Sequence, residues 1–90
     1  MRIRKRVIVR GIVQGVGFRW FTRRHATRLG LGGFVKNMPD GSVLVEVEGD
    51  PELVNTLIDE LKRGPSHAVV EEVIVEDVPI KNEKVFRIAY

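Results

Sequence analysis

The ten residues from Arg10 to Arg19, Arg-Gly-Ile-Val-Gln-Gly-Val-Gly-Phe-Arg, set glycines at 11, 15 and 17 ahead of an arginine. They run from the end of an alternating segment, through a glycine-rich turn, into a segment of helical period. N–H groups in the first turn of a helix have no partner inside it, and the helix dipole adds positive potential there. With Gly15 and Gly17 the backbone can curl so that several N–H groups point into one concavity, a nest for an anion. Arg19 then stands where cation and dipole repel, at a cost of up to about 1 kcal/mol unless an anion fills the nest. A guanidinium fork beside a cradle of N–H groups suits a phosphate, which both can bind at once. Taken alone, the glycine spacing fits a sharp strand-to-helix connection equally well. The loop lacks the Gly-Lys-Ser/Thr ending of a P-loop, and no acid follows at the distance a dinucleotide site requires.

Other chemistry-bearing residue types are sparse. His25 falls on the apolar side of the helical segment and reads as a core-edge residue. Trp20 lies among Arg23, Arg24 and Arg28; it is expected to pack on arginine stems, with a place at a pocket rim as the alternative. Glu71-Glu72 and Asp59-Glu60 read as solvated faces, and no His/Asp/Glu group has metal-ligand spacing. The chain has no cysteine, which excludes a disulfide framework, a thiolate zinc site and a cysteine nucleophile. That composition fits a reducing compartment or a heat-adapted chain.

The elements that would position these groups follow from periodicity. Residues 2–10 alternate, with Ile3, Lys5, Val7 and Val9 on one side and Arg2, Arg4, Arg6, Ile8 and Arg10 on the other, a strand with one wet face. Residues 11–17 form the loop. Phe18 to Leu29 is a helix with Phe18, Phe21, Thr22, His25 and Leu29 facing the core, ended by Gly30. Strands over 33–38 and 42–48 join at Pro39-Asp40-Gly41, with Val43, Val45 and Val47 inward and Leu44, Glu46 and Glu48 outward. Asp50-Pro51-Glu52 opens a second helix whose stripe is Leu53, Val54, Leu57, Ile58 and Leu61, closed by Lys62-Arg63-Gly64-Pro65. Two more strands are expected over 69–77 and 84–90.

This order is the α+β, ferredoxin-like β-α-β-β-α-β plan: an antiparallel sheet with two helices on one face, plus a C-terminal strand. At 90 residues the chain is read as one domain spanning 1–90. The first strand is central, beside the third and fourth.

Residues 1–36 carry ten Lys/Arg and no acid, a balance of +10, while residues 37–90 balance at −7. Such asymmetry calls for an anionic partner or for the acidic half of the same fold. Internal complementarity is the expectation, with the arginines of the first strand set against Glu46 and Glu48 on one side and Glu72 and Glu76 on the other. As exposed cross-strand pairs these would contribute about 0.2–1 kcal/mol each. The basic start followed by a broken apolar run is not a signal peptide, and nothing approaches the roughly 20 apolar residues of a membrane span. A cytoplasmic location is expected.

Two segments carry a family resemblance. Gly11-Ile-Val-Gln-Gly-Val-Gly-Phe-Arg19 resembles the phosphate-loop signature of the acylphosphatases. Gly33-Phe-Val-Lys-Asn37-Met-Pro-Asp-Gly41-Ser-Val43, ending in Gly49, resembles their second signature; Phe34 stands where many members have tryptophan. The resemblance covers residues 3 to 90 and implies a free-standing, metal-independent enzyme, without cofactor, that hydrolyses the carboxyl-phosphate bond. It implies that Arg19 and the loop amides of Gln14, Gly15, Val16, Gly17 and Phe18 bind the phosphate, and that the Asn37 side chain orients the attacking water. Without the resemblance, Asn37 reads as a strand-end or turn asparagine. The leaving group is a carboxylate, stable at neutral pH, so no general acid is required. An amide is a poor base, so the water's proton is expected to pass to a phosphate oxygen of the substrate. The implied partners are a small-molecule acyl phosphate and inorganic phosphate as product and inhibitor, with neither nucleic acid nor membrane. The chain is read as a monomer, with a dimer left open.

Two other functions share the fold. An RNA-binding module would explain the basic charge, and Gly32-Gly33-Phe34-Val35 echoes part of an RNP1 motif. However, Leu31 stands where that motif opens with Lys/Arg, Asn37 replaces its last aromatic, and the first strand offers no aromatic on which bases could stack. A non-catalytic regulatory or interaction domain would not need Arg19 and Asn37 together.

Overall fold

A computed structural model describes residues 1–90. The elements are β1 (Ile3–Ile12), α1 (Phe18–Arg28), β2 (Gly32–Asn37), β3 (Val43–Gly49), α2 (Pro51–Arg63), β4 (Val69–Val78) and β5 (Phe86–Ala89). The sheet order is β4-β1-β3-β2-β5, with β1 between β3 and β4 as expected. All pairings are antiparallel except the last, where β5 runs parallel to β2. No helix is long and apolar enough to cross a membrane.

The helices cover one face of the sheet and bury its valines. Val7, Val9, Val35, Val43, Val45 and Val47 are fully buried beneath Phe18, Leu57 and Leu61. The buried stripe of α1 is rotated from the expected one: Phe18, Thr22 and Ala26 are buried, while Phe21, His25 and Leu29 lie half-buried at its margin. Ala26 marks the close approach of the helix, and hydrophobic periodicity gives an alanine too little weight to show it. The helix ends where Gly30 N–H donates to Thr27 and Leu31 N–H reaches back to Ala26, the paired bonds that satisfy its last carbonyls. In α2, Asp50 caps the N-terminus by accepting from Glu52 N–H at 2.9 Å. Val54, Leu57, Ile58 and Leu61 are buried there, but Leu53, expected in the stripe, is exposed.

β1 extends two residues beyond the expected end, to Ile12. Its pairing with β4 shifts after Arg10: Arg10 faces Glu72 and Gly11 faces Val70, leaving Glu71 as the extra residue of a bulge. A side chain at Gly11 would put its first carbon 2.1 Å from the Val69 carbonyl oxygen, so this close approach requires glycine.

The second face of the sheet is closed by ions. Arg4, Glu46 and Glu48 are buried, contrary to the expectation of exposed pairs. Arg4 bonds Glu46 at 2.8 Å and Glu48 at 3.0 Å, and pairs with Glu83 at 2.7 Å. Arg6 bridges Glu46 and Glu76, each at 3.2 Å, and Arg10 stands 3.9 Å from Glu72. The burial follows from the strand order. β4 and β5 are consecutive in the chain but lie at opposite edges, so residues 79–85 must cross this face. Glu48 holds the crossing segment by accepting from Lys81 N–H at 2.9 Å and Asn82 N–H at 2.8 Å. Arg2 donates to the Glu83 carbonyl at 2.9 Å. Gly32 makes room, since a methyl there would lie 2.1 Å from that same oxygen.

Burial by itself would raise the Glu48 carboxyl, but the Lys81 and Asn82 amides with Arg4 and Arg2 outweigh it and hold the group down to about 2. A depressed carboxylate stabilises the fold above its unfolded value and loses that contribution as pH falls toward the folded one. Stability to urea is therefore expected to hold from neutral pH down to about 4.5 and then to fall toward pH 2. Glu48→Gln should cost about 3–5 kcal/mol at pH 7 by leaving the buried Arg4 charge under-compensated. The same variant should show a shallower acid limb in urea titrations at graded pH.

Candidate active site

Between β1 and α1 the chain turns through residues 13–17. Gly15 has φ 74° and Gly17 has φ 80°, while Val16 and Phe18 keep the ordinary negative sign. Alternating hand along successive residues swings their N–H groups toward one side and forms the nest anticipated from the spacing. The N–H groups of Gln14, Gly15, Val16 and Gly17 donate no hydrogen bond within the chain. Gly17 is the N-cap of α1 with no side-chain cap, and the first turn contains no acid. The positive end of the helix is thus left without any negative group of the protein's own.

The loop is anchored from three sides. Val13 and Phe18 are buried in the core at either end of it. The Gln14 side-chain amide donates to the carbonyls of Met38 at 2.8 Å and Ser42 at 2.9 Å. These are the two ends of the β2–β3 turn, itself closed by Asp40, which accepts from the Ser42 amide at 2.9 Å and hydroxyl at 2.6 Å. The Ser42 hydroxyl and amide pull the Asp40 carboxyl below its usual range. Gln14 therefore fixes the nest against the strand end that bears Asn37.

A cavity of about 240 Å³ opens at this junction, with Gly15, Gly17, Phe18 and Arg19 on one wall and Asn37 opposite. The Asn37 side-chain oxygen is shut off from solvent and has no hydrogen-bond partner. An unmet buried acceptor costs about 1–3 kcal/mol, so Asn37, which lines the cavity, carries an acceptor that the chain itself leaves unsatisfied. Arg19 is half-buried and meets no carboxylate within ion-pair distance; its guanidinium carbon lies 5.0 Å from the centre of the Tyr90 ring. A cation over an aromatic face is attracted by the ring quadrupole, which holds Arg19 without neutralising it.

Arg19, Asn37, Gly15, Gly17 and Phe18 thus share one cavity. Gln14 and Val16 do not line it with their side chains: Gln14 clamps the turn, and Val16 packs against the core. Their contribution is confined to backbone N–H groups. His25 lies away from the cavity, its ring 4.5 Å from that of Phe21 and 4.0 Å from Glu60. Trp20 satisfies both expectations at once, lining the cavity while the Arg24 guanidinium sits 5.3 Å over its ring. Ile88 and Tyr90 complete the cavity and were not anticipated. Parallel pairing sets Ile88 beside Val35 and Ala89 beside Lys36, which brings Tyr90 level with Asn37. The only sequence signal was an aromatic at the chain end, without a register to place it.

The fold and the cavity together define a small α+β sandwich with a cluster of unpaired backbone donors at the head of its first helix. A family model described as Acylphosphatase matches residues 5–88. The acylphosphatase of Caldivirga maquilingensis is 63% identical over 75 residues, covering 82% of this chain and 79% of that one. The crystal structure of acylphosphatase from Bacillus subtilis superposes with a TM-score of 0.95 at 34% identity, over 100% of both chains. Full-length HypF, in its phosphate- and nucleotide-bound form, contains a similar unit with a TM-score of 0.94 at 35% identity, covering 100% of this chain and 12% of that one. The chain belongs to the acylphosphatase family.

Because Gln14 alone ties the nest to the β2–β3 turn, Gln14→Ala should remove two hydrogen bonds and destabilise the protein by about 1–3 kcal/mol in urea. Amide exchange at Met38 and Ser42 should accelerate as the turn loosens, while the centre of β1 remains protected.

Proposed function

We propose that the protein hydrolyses acyl phosphates to a carboxylate and inorganic phosphate, with Arg19 and the loop amides holding the phosphate and Asn37 holding the water. The observation that carries this reading is a single cavity lined by Arg19, which has no carboxylate partner, by Gly15 and Gly17, whose N–H groups are unpaired, and by Asn37, whose amide oxygen is unmet. Family membership supports it.

In this mechanism the phosphoryl group occupies the nest, its oxygens bonded by the N–H groups of residues 14–18 and by the Arg19 fork. Asn37 accepts a hydrogen from a water and aims its oxygen at phosphorus, in line with the acyl oxygen. The water oxygen bonds to phosphorus, the bond from phosphorus to the acyl oxygen breaks, and its electron pair leaves on the carboxylate. The water's proton passes to a phosphate oxygen, giving dihydrogen phosphate. The site supplies position and fixed positive potential, which are what a loose phosphoryl-transfer transition state demands. A single chain supplies every one of these groups, so the reaction requires no second copy.

The RNA-binding alternative loses its platform. The sheet face on which bases would stack is crossed by residues 79–85 and occupied by the Arg4–Glu46–Glu48 network, and Phe34 lies under Arg87.

Purified protein should release phosphate from acetyl phosphate at a rate indifferent to EDTA and inhibited by inorganic phosphate. Arg19→Ala and Asn37→Ala should each lower turnover by about 100-fold or more with unchanged far-UV circular dichroism. Wild-type rates in both variants would overturn the site assignment. Tyr90→Ala should weaken phosphate inhibition several-fold, and Tyr90→Phe should restore it, since the ring rather than the hydroxyl faces Arg19.

A further inference from the structure

The arginines of this chain fall into two populations. Arg2 and those of β1 are spent on the fold: Arg2, Arg4, Arg6 and Arg10 each meet a carboxylate of β3, β4 or the crossing segment. The arginines of α1 are not. Arg19, Arg23, Arg24 and Arg28 form no ion pair, although Glu60 of the neighbouring helix lies within 4.0 Å of His25 on the same helix. Arg23, Arg24 and Arg28 are exposed, and with Trp20 and Thr27 they border a shallow open depression on the outer face of α1. Four like charges over ten residues of one helix repel, and aromatic contacts at Arg19 and Arg24 hold two of them without cancelling any charge. The internal complementarity expected from the sequence thus holds for β1 and fails for α1.

Trp20 borders both the cavity at the nest and this depression. It lies beneath the Arg24 guanidinium, and so stands between the nest and the outer face of α1. Along the helix axis Arg23 lies about 6 Å and Arg28 about 13 Å beyond Arg19. A group that extends from a phosphate in the nest along α1 would meet the Trp20 ring and then guanidinium groups without a carboxylate partner.

We infer that the outer face of α1 is a second anion subsite, taking acyl phosphates whose acyl part is flat or apolar next to the phosphate and carries a further anionic group at its far end. This rests on the phosphate-binding reading above and adds a substrate class to it. Trp20 takes the body of the acyl group, and Arg23, Arg24 and Arg28 take its distal charge. A fork of five donors suits a carboxylate or a second phosphate equally, and charge complementarity selects for either over a neutral tail. The contribution comes from solvent-exposed pairs, so it is modest and sensitive to salt.

Benzoyl phosphate and 4-carboxybenzoyl phosphate differ only in a carboxylate across a rigid ring, which cannot fold back onto the acyl phosphate. At low ionic strength the wild type should favour the carboxylated compound in kcat/KM by about fivefold to tenfold, and the preference should collapse in about 0.5 M salt. The triple variant R23Q/R24Q/R28Q should lose the preference while hydrolysing benzoyl phosphate within about twofold of wild type. Equal efficiency on both compounds in the wild type, or a preference that survives in the variant, overturns the subsite and leaves the hydrolase reading intact. Turnover of neither compound overturns the hydrolase reading itself. An oligoribonucleotide that binds the wild type but not the variant, with no preference between the two compounds, would assign the helix face to nucleic acid and likewise overturn the subsite.

Discussion

Backbone donors that the chain cannot satisfy from within itself are the fixed point of this molecule. Turning N–H groups to one side demands left-handed φ at alternate residues, which Gly15 and Gly17 supply at no steric cost. Keeping the donors free demands that no carboxylate of the protein reach them. Residues 1–36 contain no acid at all, so neither the loop nor α1 can neutralise its own positive end. The twelve acids that follow lie in the later elements, where several are bound to β1. Charge segregation along the sequence thus becomes a division of labour in space: one basic segment is consumed by the fold and the next is left open.

Support for the seat arrives from elements distant in the chain. Gln14 reaches across to the β2–β3 turn and ties the nest to the strand end that bears Asn37. The wall bearing Ile88 and Tyr90 depends on a buried carboxylate on the opposite face of the sheet. Glu48 binds two consecutive amides of the crossing segment, and that segment delivers β5 to the edge of β2. A residue far from the cavity therefore governs the aromatic that faces Arg19. Such coupling is carried by one continuous stretch of chain and needs no change of conformation.

Much of this was legible from local pattern. Period and punctuation place seven elements within a few residues, because alternation, helical stripes and the Asp50-Pro51 and Pro39-Asp40-Gly41 signals are properties of short windows. The loop and Asn37 were legible through motif resemblance, and the central position of β1 through the fold plan. What escaped depends on tertiary geometry. The rotated stripe of α1 turns on Ala26, whose burial reflects how closely the helix approaches the sheet. The burial of Arg4, Glu46 and Glu48 follows from a crossing segment whose route no local signal encodes. Ile88 and Tyr90 could be placed only once β5 was known to run parallel to β2.

The ion-closed face has a thermal consequence. A chain of this size has too little apolar side chain to raise a third layer over its sheet, so a strap and a lattice of guanidinium and carboxylate groups serve instead. Desolvating ions becomes less costly as water warms, whereas the gain from apolar contact levels off. The side of the sheet that looks weakest at room temperature is therefore the side whose relative contribution grows with heating.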